Sequence, residues 1–287
     1  MPASDFTARR SAFRSLHSEG CFVIPNPWDA GTARYLRHLG FRALATTSAG
    51  WAFSQGRPDT AVSCDRMLDN IADIVAAVDL PVNADFESGY ADEPEGVSAN
   101  VRRCVDTGVA GLSIEDSTGD PTRPLYELPV AVERIRAARE SIDASGSGVL
   151  LTARAECYLV GRPAPLDESI RRLHAYAEAG ADVLYAPGPR TRDDIRALVS
   201  ALSPKPVNIL MSLNARLTVS DLAALGVRRV SVGSALSRAA WTAFMRAAEG
   251  IAKEGSFAGF DGLVPFAEIN GFFRQEFSRA HGSRLKD

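Results

Sequence analysis

The sequence predicts an α/β fold of the TIM-barrel type, (β/α)8, followed by a C-terminal helical extension. Eight short apolar runs alternate with amphipathic helical segments along the 287 residues. The runs are apolar along most of their length, which is typical of strands buried on both faces of a parallel sheet. Glycine readily supplies the left-handed cap at a helix end. Four helical segments end in this way before a β-rich run, at Gly40, Gly108, Gly180 and Gly226.

The strand–helix units follow one another in regular order. The strand-like runs are CFVIPNP, FRALATTS, LPVNADFE, VAGLSIEDS, GVLLTARAE, ADVLYAPG, KPVNILMS and VRRVSVGS. The helical segments include CDRMLDNIADIVAAVD, GVSANVRRCVDTG and DESIRRLHAYAEAG. Eight β-then-α units are the number in a closed barrel. An open doubly wound sheet is the main alternative, but IPNPWDAGTA after the first strand lacks the glycine fingerprint of a dinucleotide site.

The barrel pattern ends near Gly255, so we expect a barrel domain over 1–255 and a separate linker and helix over 256–287. The terminal helix carries apolar residues down one side: Phe266, Ile269, Phe272, Phe273 and Phe277. Such an aromatic face needs a surface that buries it. It either packs on its own barrel or docks on a neighbouring subunit, and the second arrangement predicts a homo-oligomer.

Composition and charge limit the classes of molecule that we expect the protein to bind. The net charge of −3 and the absence of a Lys/Arg run give no footprint for nucleic acid or an anionic membrane. No apolar stretch approaches the ~18 residues of a membrane span, and the polar N-terminus lacks a signal core. The four cysteines have no paired spacing, which favours a reducing, cytoplasmic location.

Acidic residues accumulate at the carboxyl ends of the predicted strands, the end of a TIM barrel that carries the chemistry. Asp85 and Glu87 follow the third strand, Glu115 ends the fourth, and Arg154 ends the fifth. Clustered carboxylates repel one another unless they are protonated or neutralised by a cation. Oxygen-only ligands favour Mg2+, with Mn2+ possible, over zinc. The alternative is that these acids pair with arginines at the rim.

Four motifs together resemble the isocitrate lyase/phosphoenolpyruvate mutase superfamily over about residues 10–280. They are TTSAGWAFSQGRPD, NADFESGYAD, GLSIEDS and LTARAE, which follow or form the second to fifth strands. The resemblance implies a (β/α)8 barrel whose last helix is exchanged between subunits, in dimers or tetramers. It also implies a small carboxylate substrate and a Mg2+-dependent carbon–carbon lyase.

The resemblance also assigns roles to individual residues. Asp85 matches the carboxylate that binds Mg2+ directly, and Glu87 replaces an Asp that usually serves as the second. Glu115 and Asp59 match acids that hold the metal's waters or the substrate. The substrate carboxylate is matched to Arg154 and to the loop formed by Ser48, Ala49 and Gly50.

The chain departs from the family's lyases after the fourth strand. EDSTGDPTRPLYELPV lacks the K-K-C-G-H segment whose thiol acts as acid and base, so standard isocitrate lyase activity is not expected. Cys157 on the fifth strand is one substitute, and a buried structural Cys is the simpler interpretation. The sixth strand ends in Pro187. The remaining proton-donor candidates are Tyr90 and Tyr185, and the candidates for a second carboxylate are Asn208, Ser212 and Asn214.

The main functional hypothesis is a Mg2+-dependent lyase that cleaves a C–C bond in a small 2-oxo or 2-hydroxy di- or tricarboxylate through a metal-stabilised enolate. Oxaloacetate decarboxylation is an alternative, because carbon dioxide leaves uncharged and needs no acid. A phosphonate C–P mutase or hydrolase is a third hypothesis. A non-catalytic 2-oxo acid binding protein is a fourth, from a different functional class.

Overall fold

The computed structural model describes residues 3–213 and 216–281. In this part of the chain, strands and helices alternate as predicted. The strands are β1 Phe22–Ile24, β2 Leu44–Ala45, β3 Val82–Asp85, β4 Gly111–Glu115, β5 Leu150–Arg154, β6 Val183–Tyr185, β7 Val207–Leu210 and β8 Arg229–Ser231. The helices are α1 Ala3–Leu16, α2 Ala30–His38, α3 Ser48–Ser54, α4 Cys64–Ala77, α5 Pro94–Asp106, α6 Leu128–Ala144, α7 Pro165–Glu178, α8 Arg192–Leu202, α9 Val219–Ala224, α10 Ala235–Glu254 and α11 Phe266–His281.

The eight strands form one parallel sheet in the order β1-β8-β7-β6-β5-β4-β3-β2. The strands at the two ends of that order, β1 and β2, come together as well. The N–H of Ala45 donates to the carbonyl of Pro25 at 3.0 Å, and the amide of Asn26 donates to the carbonyl of Thr46 at 2.9 Å. Asn26 also accepts from the N–H of Gly233 beyond β8 at 2.9 Å. These bonds join the sheet edges and confirm the predicted (β/α)8 barrel.

The main core lies between the strands and the surrounding helices. Apolar residues of the strands, such as Leu112 and Leu151, pack against the inward stripes of helices, such as Ile74 and Leu173, and all four are fully buried. Burying a side chain of this size stabilises the fold by roughly 1.5–3 kcal/mol. This shared apolar layer explains the two sequence patterns. Apolar residues recur at a period of 3.6 along the helices, and the strands are apolar along most of their length.

Helix α1 covers the amino-terminal end of the barrel. Phe13 of α1 is fully buried in a second apolar cluster with Phe22 and Leu150 of the strands. The ring of His17 stands edge-on to Phe13 at 4.7 Å and to Phe22 at 5.0 Å. Burial lowers the pKa of His17 to about 3, so this imidazole is neutral at physiological pH. His17 therefore packs on the apolar cluster that closes the amino-terminal end of the barrel, opposite the predicted site.

The connections use the predicted helix signals. All four predicted cap glycines have positive φ, from 85° at Gly40 to 103° at Gly180. Asp29 accepts from the N–H of Thr32 and forms a capping box at the start of α2. Thr191 accepts from the N–H of Asp194 at the start of α8. These local signals fix where each helix begins and ends, and therefore how the loops meet at the barrel mouth.

The contacts divide the chain into two compact units, Met1–Leu236 and Ser237–Asp287. In the second unit, the ring of Trp241 lies edge-on to that of Phe244 at 5.4 Å. A Cβ atom added to Gly259 would lie 2.8 Å from the Cα of Ala247, so the turn before α11 packs closely on α10. On α11, Phe266 is 82% exposed. The predicted boundary after Gly255 remains a prediction.

The structure gives two further facts about the chain. The four cysteines are free thiols. Across residues 3–213 and 216–281, no helix combines the length and the apolar character needed to cross a membrane.

Candidate active site

Three predicted site residues meet where β3, β4 and β5 end. The parallel register places Glu115 of β4 beside Arg154 of β5. The Nη1 atom of Arg154 lies 3.5 Å from Oδ1 of Asp85 and 3.2 Å from Oε2 of Glu115. Its Nε donates to Oε1 of Glu156, two residues farther along the chain. One guanidinium thus contacts three carboxylates, and the ring of Tyr185 lies 5.3 Å from its central carbon.

The segment after β2 closes on Asp85 from another side. The backbone N–H and the hydroxyl of Ser48 each lie 3.0 Å from Oδ2 of Asp85. The hydroxyl of Ser48 is also 3.4 Å from Oδ1 of Asp59. The N–H of Asp85 donates to Oγ1 of Thr46 at 2.8 Å, which fixes the end of β3. Ser48 and Asp59 therefore belong to the same group of side chains as Asp85.

Ala49 and Gly50 form the first turn of α3 together with Ser48. The N–H of Gly50 donates to Oγ1 of Thr47, the residue that caps this helix, at 3.2 Å. The structure thus places the predicted carboxylate loop beside Asp85, and its role in binding a substrate carboxylate remains a prediction.

The loop after β3 brings Glu87 and Tyr90 together in a strained conformation. Glu87 has φ of 46° and Tyr90 has φ of 57°, values that L-residues adopt at a cost of about 1–3 kcal/mol. The hydroxyl of Tyr90 donates to Oε1 of Glu87 at 2.8 Å. The rings of Phe86 and Tyr90 pack edge-on at 5.1 Å. Backbone strain of this kind persists only where surrounding contacts over-determine it.

Arg134 of α6, which is only 1% exposed, supplies those contacts. Its guanidinium donates to the carbonyl of Ala91 at 2.7 Å and to the carbonyls of Ser88 and Asp92. Its central carbon lies 4.0 Å from the ring centre of Tyr126. Three carbonyls of one short loop are therefore held by one buried side chain, and this fixes the direction of the loop that carries Glu87.

The electrostatics of the site are dominated by acids. Burial raises the pKa of Glu87 from 4.5 to about 7; the Tyr90 hydrogen bond opposes this shift, and nearby carboxylates add to it. Burial raises the pKa of Glu115 well above its usual range, with Arg154 opposing. Partial removal from water also raises the pKa of Asp59. One guanidinium thus faces the acids Asp59, Asp85, Glu87, Glu115 and Glu156.

This donor set fits a hard divalent cation. Carboxylate oxygens are the ligands that Mg2+ and Mn2+ prefer, and a cation favours the charged form of acids whose pKa is raised by burial and by one another. Within residues 3–213 and 216–281, three His, Cys or acidic side chains do not converge closely enough to coordinate an ion. Arg154 lies among them instead, with contacts to Asp85 and Glu115. Asp85, Glu87 and Glu115 would hold the ion if the guanidinium released them.

The predicted second-carboxylate residues lie on β7 and in the loop after it. Asn208 is fully buried in the barrel, donates to Oγ of Ser231 at 3.0 Å and accepts from Nε of Arg229 at 2.9 Å. Asn208 lines a cavity of about 40 Å3 together with Asp85 and Arg154, and its role in binding a second carboxylate remains a prediction. Ser212 is half-buried in the loop after β7. Asn214 lies outside the described residues.

Several residues that matter for the site were not predicted from the sequence. Arg134 and Arg229 are buried arginines, at 1% and 3% exposure. Each is a charged residue on an otherwise apolar face, and that mismatch is the signal that marks them. Asp116, the residue after Glu115 at the end of β4, points into the core: it accepts from the hydroxyl of Tyr176 at 2.7 Å and from the N–H of Glu156 at 2.8 Å.

The two remaining proton-transfer candidates are both buried. Burial raises the pKa of Tyr185 to about 12, so its hydroxyl stays protonated. Burial likewise raises the pKa of Cys157 to about 11, and the residue has no exposed area. A thiol of this kind is not the thiolate that acid–base or nucleophilic chemistry requires.

Fold and site together define a TIM-barrel enzyme with an acidic, arginine-containing mouth. The family model for phosphoenolpyruvate phosphomutase matches residues 13–252. An uncharacterized protein of Mycobacterium tuberculosis is 32% identical, covering 90% of this chain and 94% of that protein. An oxaloacetate decarboxylase of Bradyrhizobium sp. is 30% identical, covering 79% of this chain and 78% of that enzyme. The chain belongs to the phosphoenolpyruvate mutase family, within the isocitrate lyase/phosphoenolpyruvate mutase superfamily.

Solved structures agree with this assignment. A candidate lyase/mutase of Burkholderia cenocepacia J2315 is 51% identical with a TM-score of 0.91, covering 94% of this chain and 98% of that one. Phosphonopyruvate hydrolase in complex with oxalate and Mg2+ is 25% identical with a TM-score of 0.79, covering 97% and 99%. The chain is therefore an enzyme of a superfamily that includes lyases and mutases.

The raised pKa of Glu87 predicts a specific pH dependence of stability. Its pKa of about 7 in the folded chain exceeds the unfolded value of 4.5. The stabilisation by the protonated form is therefore complete below pH 4.5 and is lost as pH rises through 7. Replacing Glu87 with Gln removes this loss. In EDTA, Glu87→Gln should gain about 2–3 kcal/mol of unfolding free energy relative to wild type between pH 5 and pH 8.

Urea unfolding at both pH values measures this gain. The matched control is Glu140→Gln, a change at an exposed position of α6, which should show the same difference from wild type at pH 5 and pH 8. A Glu87→Gln difference that does not change with pH would mean that Glu87 is already ionised in the folded chain.

Proposed function

We propose that the protein is a Mg2+-dependent carbon–carbon lyase that acts on a small 2-oxo or 2-hydroxy acid. The observation that carries this proposal is the contact of one guanidinium, Arg154, with Asp85, Glu115 and Glu156 at the barrel mouth. The mouth holds more negative charge than one arginine neutralises. A divalent cation bound through Asp85, Glu87 and Glu115, together with an incoming carboxylate on Arg154, would rearrange this cluster into a working site.

Arg154 is the residue that we expect to hold the substrate carboxylate. A guanidinium offers a planar fork that matches a carboxylate in two hydrogen bonds. The ring of Tyr185 and the carboxylate of Glu156 keep this fork at the mouth. Ser48, with the backbone of Ala49 and Gly50, would receive the other end of the same carboxylate. Fixing the substrate in this way accounts for orientation, a major part of catalysis.

The bond cleavage itself places an electron pair on the fragment that keeps the carbonyl. Mg2+, when bound, would supply Lewis-acid polarisation of that carbonyl. Tyr90 is the proton donor that we propose for the resulting carbanion, since its hydroxyl is protonated and lies 2.8 Å from Glu87. Burial and the charge of Glu87 raise the pKa of Tyr90. Asp59 and Glu115 would hold water or the reacting groups in place.

Oxaloacetate decarboxylation is the second candidate. A relative with that name is 30% identical over most of its length. Carbon dioxide leaves without a proton, so the missing K-K-C-G-H thiol would be no obstacle to this reaction.

The four cysteines are free thiols, which suit a reducing compartment, and we propose that the enzyme is cytoplasmic.

Asp85→Asn tests the proposed function. The variant should lose Mg2+ binding in calorimetry and lose at least about 10^3-fold in turnover, because it removes charge from the ligand that the superfamily places directly on the metal. Turnover is measured as pyruvate release from oxaloacetate, 2-methylisocitrate, dimethylmalate, phosphonopyruvate and 4-hydroxy-2-oxobutanoate. Asp73→Asn, an exposed change on α4, is the matched control and should behave as wild type.

The outcomes separate the candidates. Pyruvate from oxaloacetate alone would favour the decarboxylase. Mg2+ binding that survives in Asp85→Asn, with its circular dichroism unchanged, would refute the metal assignment. Tight binding of 2-oxo acids by wild type without turnover of any of them would favour a binding protein over an enzyme.

We also propose that residues 256–287 pack on a neighbouring subunit, so that the enzyme is a homodimer or homotetramer. The aromatic face of α11 supports this proposal: Phe266 is 82% exposed, Ile269 is 47% exposed and Phe277 is 44% exposed. A face of this size is typical of residues that a partner covers.

Chains that end at Gly255 should therefore show a lower mass in light scattering than the full chain, or should precipitate. Phe266→Ser with Ile269→Ser should lower the mass in the same way, because the docking face loses its apolar contacts. Arg274→Ser on the same helix is the control and should leave the mass unchanged. A truncated chain with the full assembly size would count against the exchanged helix.

A further inference from the structure

A second cavity lies beside the carboxylate cluster, and we call it the outer pocket. Its volume is about 390 Å3, and its principal walls are Glu87, Tyr90, Asp92, Glu115, Ser117 and Tyr126. It shares Glu87 and Glu115 with the proposed metal set. Glu115 is also the wall residue that contacts Arg154, so the outer pocket borders the proposed carboxylate-binding residue.

The walls of the outer pocket present mainly hydrogen-bond acceptors. The hydroxyl hydrogen of Tyr126 is donated to Oδ1 of Asp92 at 2.7 Å, and that of Tyr90 to Glu87 at 2.8 Å. The hydroxyl of Thr118 donates to the carbonyl of Arg123 at 2.6 Å. These phenol and hydroxyl groups therefore offer oxygen lone pairs to a ligand, next to the carboxylates themselves.

The nearest guanidinium groups are already engaged. Arg134 lies behind the ring of Tyr126, and its N–H groups go to the carbonyls of Ser88, Ala91 and Asp92. Arg154 contacts Glu115 on the inner side of the cluster. Among the described residues that line the outer pocket, none is an arginine or a lysine. When Glu87 and Glu115 hold the proposed cation, an anionic ligand group there would still meet the carboxylate of Asp92, with no arginine or lysine among the described wall residues to offset it.

The outer pocket is also preformed. Ser117 and Leu125 form an antiparallel bridge, and the N–H of Thr118 donates to the carbonyl of Pro124 at 3.1 Å. The segment between β4 and α6 is thereby folded into a tight turn that leaves the cavity open. Preorganised acceptors discriminate strongly, because a ligand without donors leaves them desolvated and unpaired.

We propose that the outer pocket receives the far end of the substrate and selects a hydrogen-bond-donating, non-anionic group, a hydroxyl, over a carboxylate or phosphonate. This inference rests on the proposed function and narrows its substrate class to hydroxylated 2-oxo acids. It distinguishes the chain from relatives whose names specify dicarboxylates. Asp92 is the specificity residue, since it lies at the outer wall, five residues beyond Glu87 in the chain.

Calorimetry in saturating Mg2+ tests the inference with three stable ligands. These are 2-oxopentanoate, 5-hydroxy-2-oxopentanoate and 2-oxoglutarate, which have five carbons each and end in a methyl, a hydroxyl and a carboxylate. Wild type should bind the hydroxyl ligand roughly tenfold tighter than the methyl ligand, and the carboxylate ligand most weakly. Asp92→Lys should reverse the order of the hydroxyl and carboxylate ligands. Glu93→Lys makes the same charge change next to the outer pocket, outside its walls, and should keep the wild-type order.

The possible results separate the selectivity of the outer pocket from the proposed function. Binding of 2-oxopentanoate, with 2-oxoglutarate as tight as or tighter than the hydroxyl ligand, would overturn the selectivity and leave the proposed function standing. The same holds if Asp92→Lys leaves the order unchanged while Glu93→Lys also leaves it unchanged. Failure of all three ligands to bind in Mg2+ would overturn the proposed function and this inference with it.

Discussion

The guanidinium of Arg154 holds the barrel mouth together. It contacts Asp85, Glu115 and Glu156, and burial makes each of these contacts stronger than it would be in water. One positive charge cannot neutralise several acids, so the remaining negative charge requires protonation or a further cation. Burial raises the pKa of Glu87 to about 7, and the neighbouring acids add to this shift. The proposed chemistry follows from this imbalance, since a metal and a carboxylate substrate resolve it together.

The rest of the fold keeps these groups in place. The parallel register puts Glu115 next to Arg154, and Asn26 ties the two edges of the sheet into a closed barrel. Arg134 holds the loop that carries Glu87, at the cost of burying a charged side chain against backbone carbonyls. The same arginine supports the ring of Tyr126. Arg134 therefore holds in place both the loop that carries Glu87 and one wall of the outer pocket.

The fold and the meeting of Asp85, Glu115 and Arg154 could be predicted from the sequence, for physical reasons. Strand runs, glycine caps and acidic strand ends are local signals, and parallel strands bring their carboxyl ends to one edge. The sequence did not reveal that Asp116 turns into the core to meet Tyr176, or that Asn208 bonds to Arg229 inside the barrel. The direction of those side chains depends on partners more than 20 residues away in the chain. The hydrogen bond of Tyr126 to Asp92, which shapes the outer pocket, is equally non-local.

The most direct test of the central claim is the proton balance of Mg2+ binding, measured by calorimetry at pH 6.5 in buffers of different ionisation enthalpy. We expect Mg2+ to bind and to release about one proton or more, because acids with raised pKa must ionise to hold it. Binding without proton release, or no binding at all, would contradict it. The acids of the mouth would then be neutralised by Arg154 and by protonation alone.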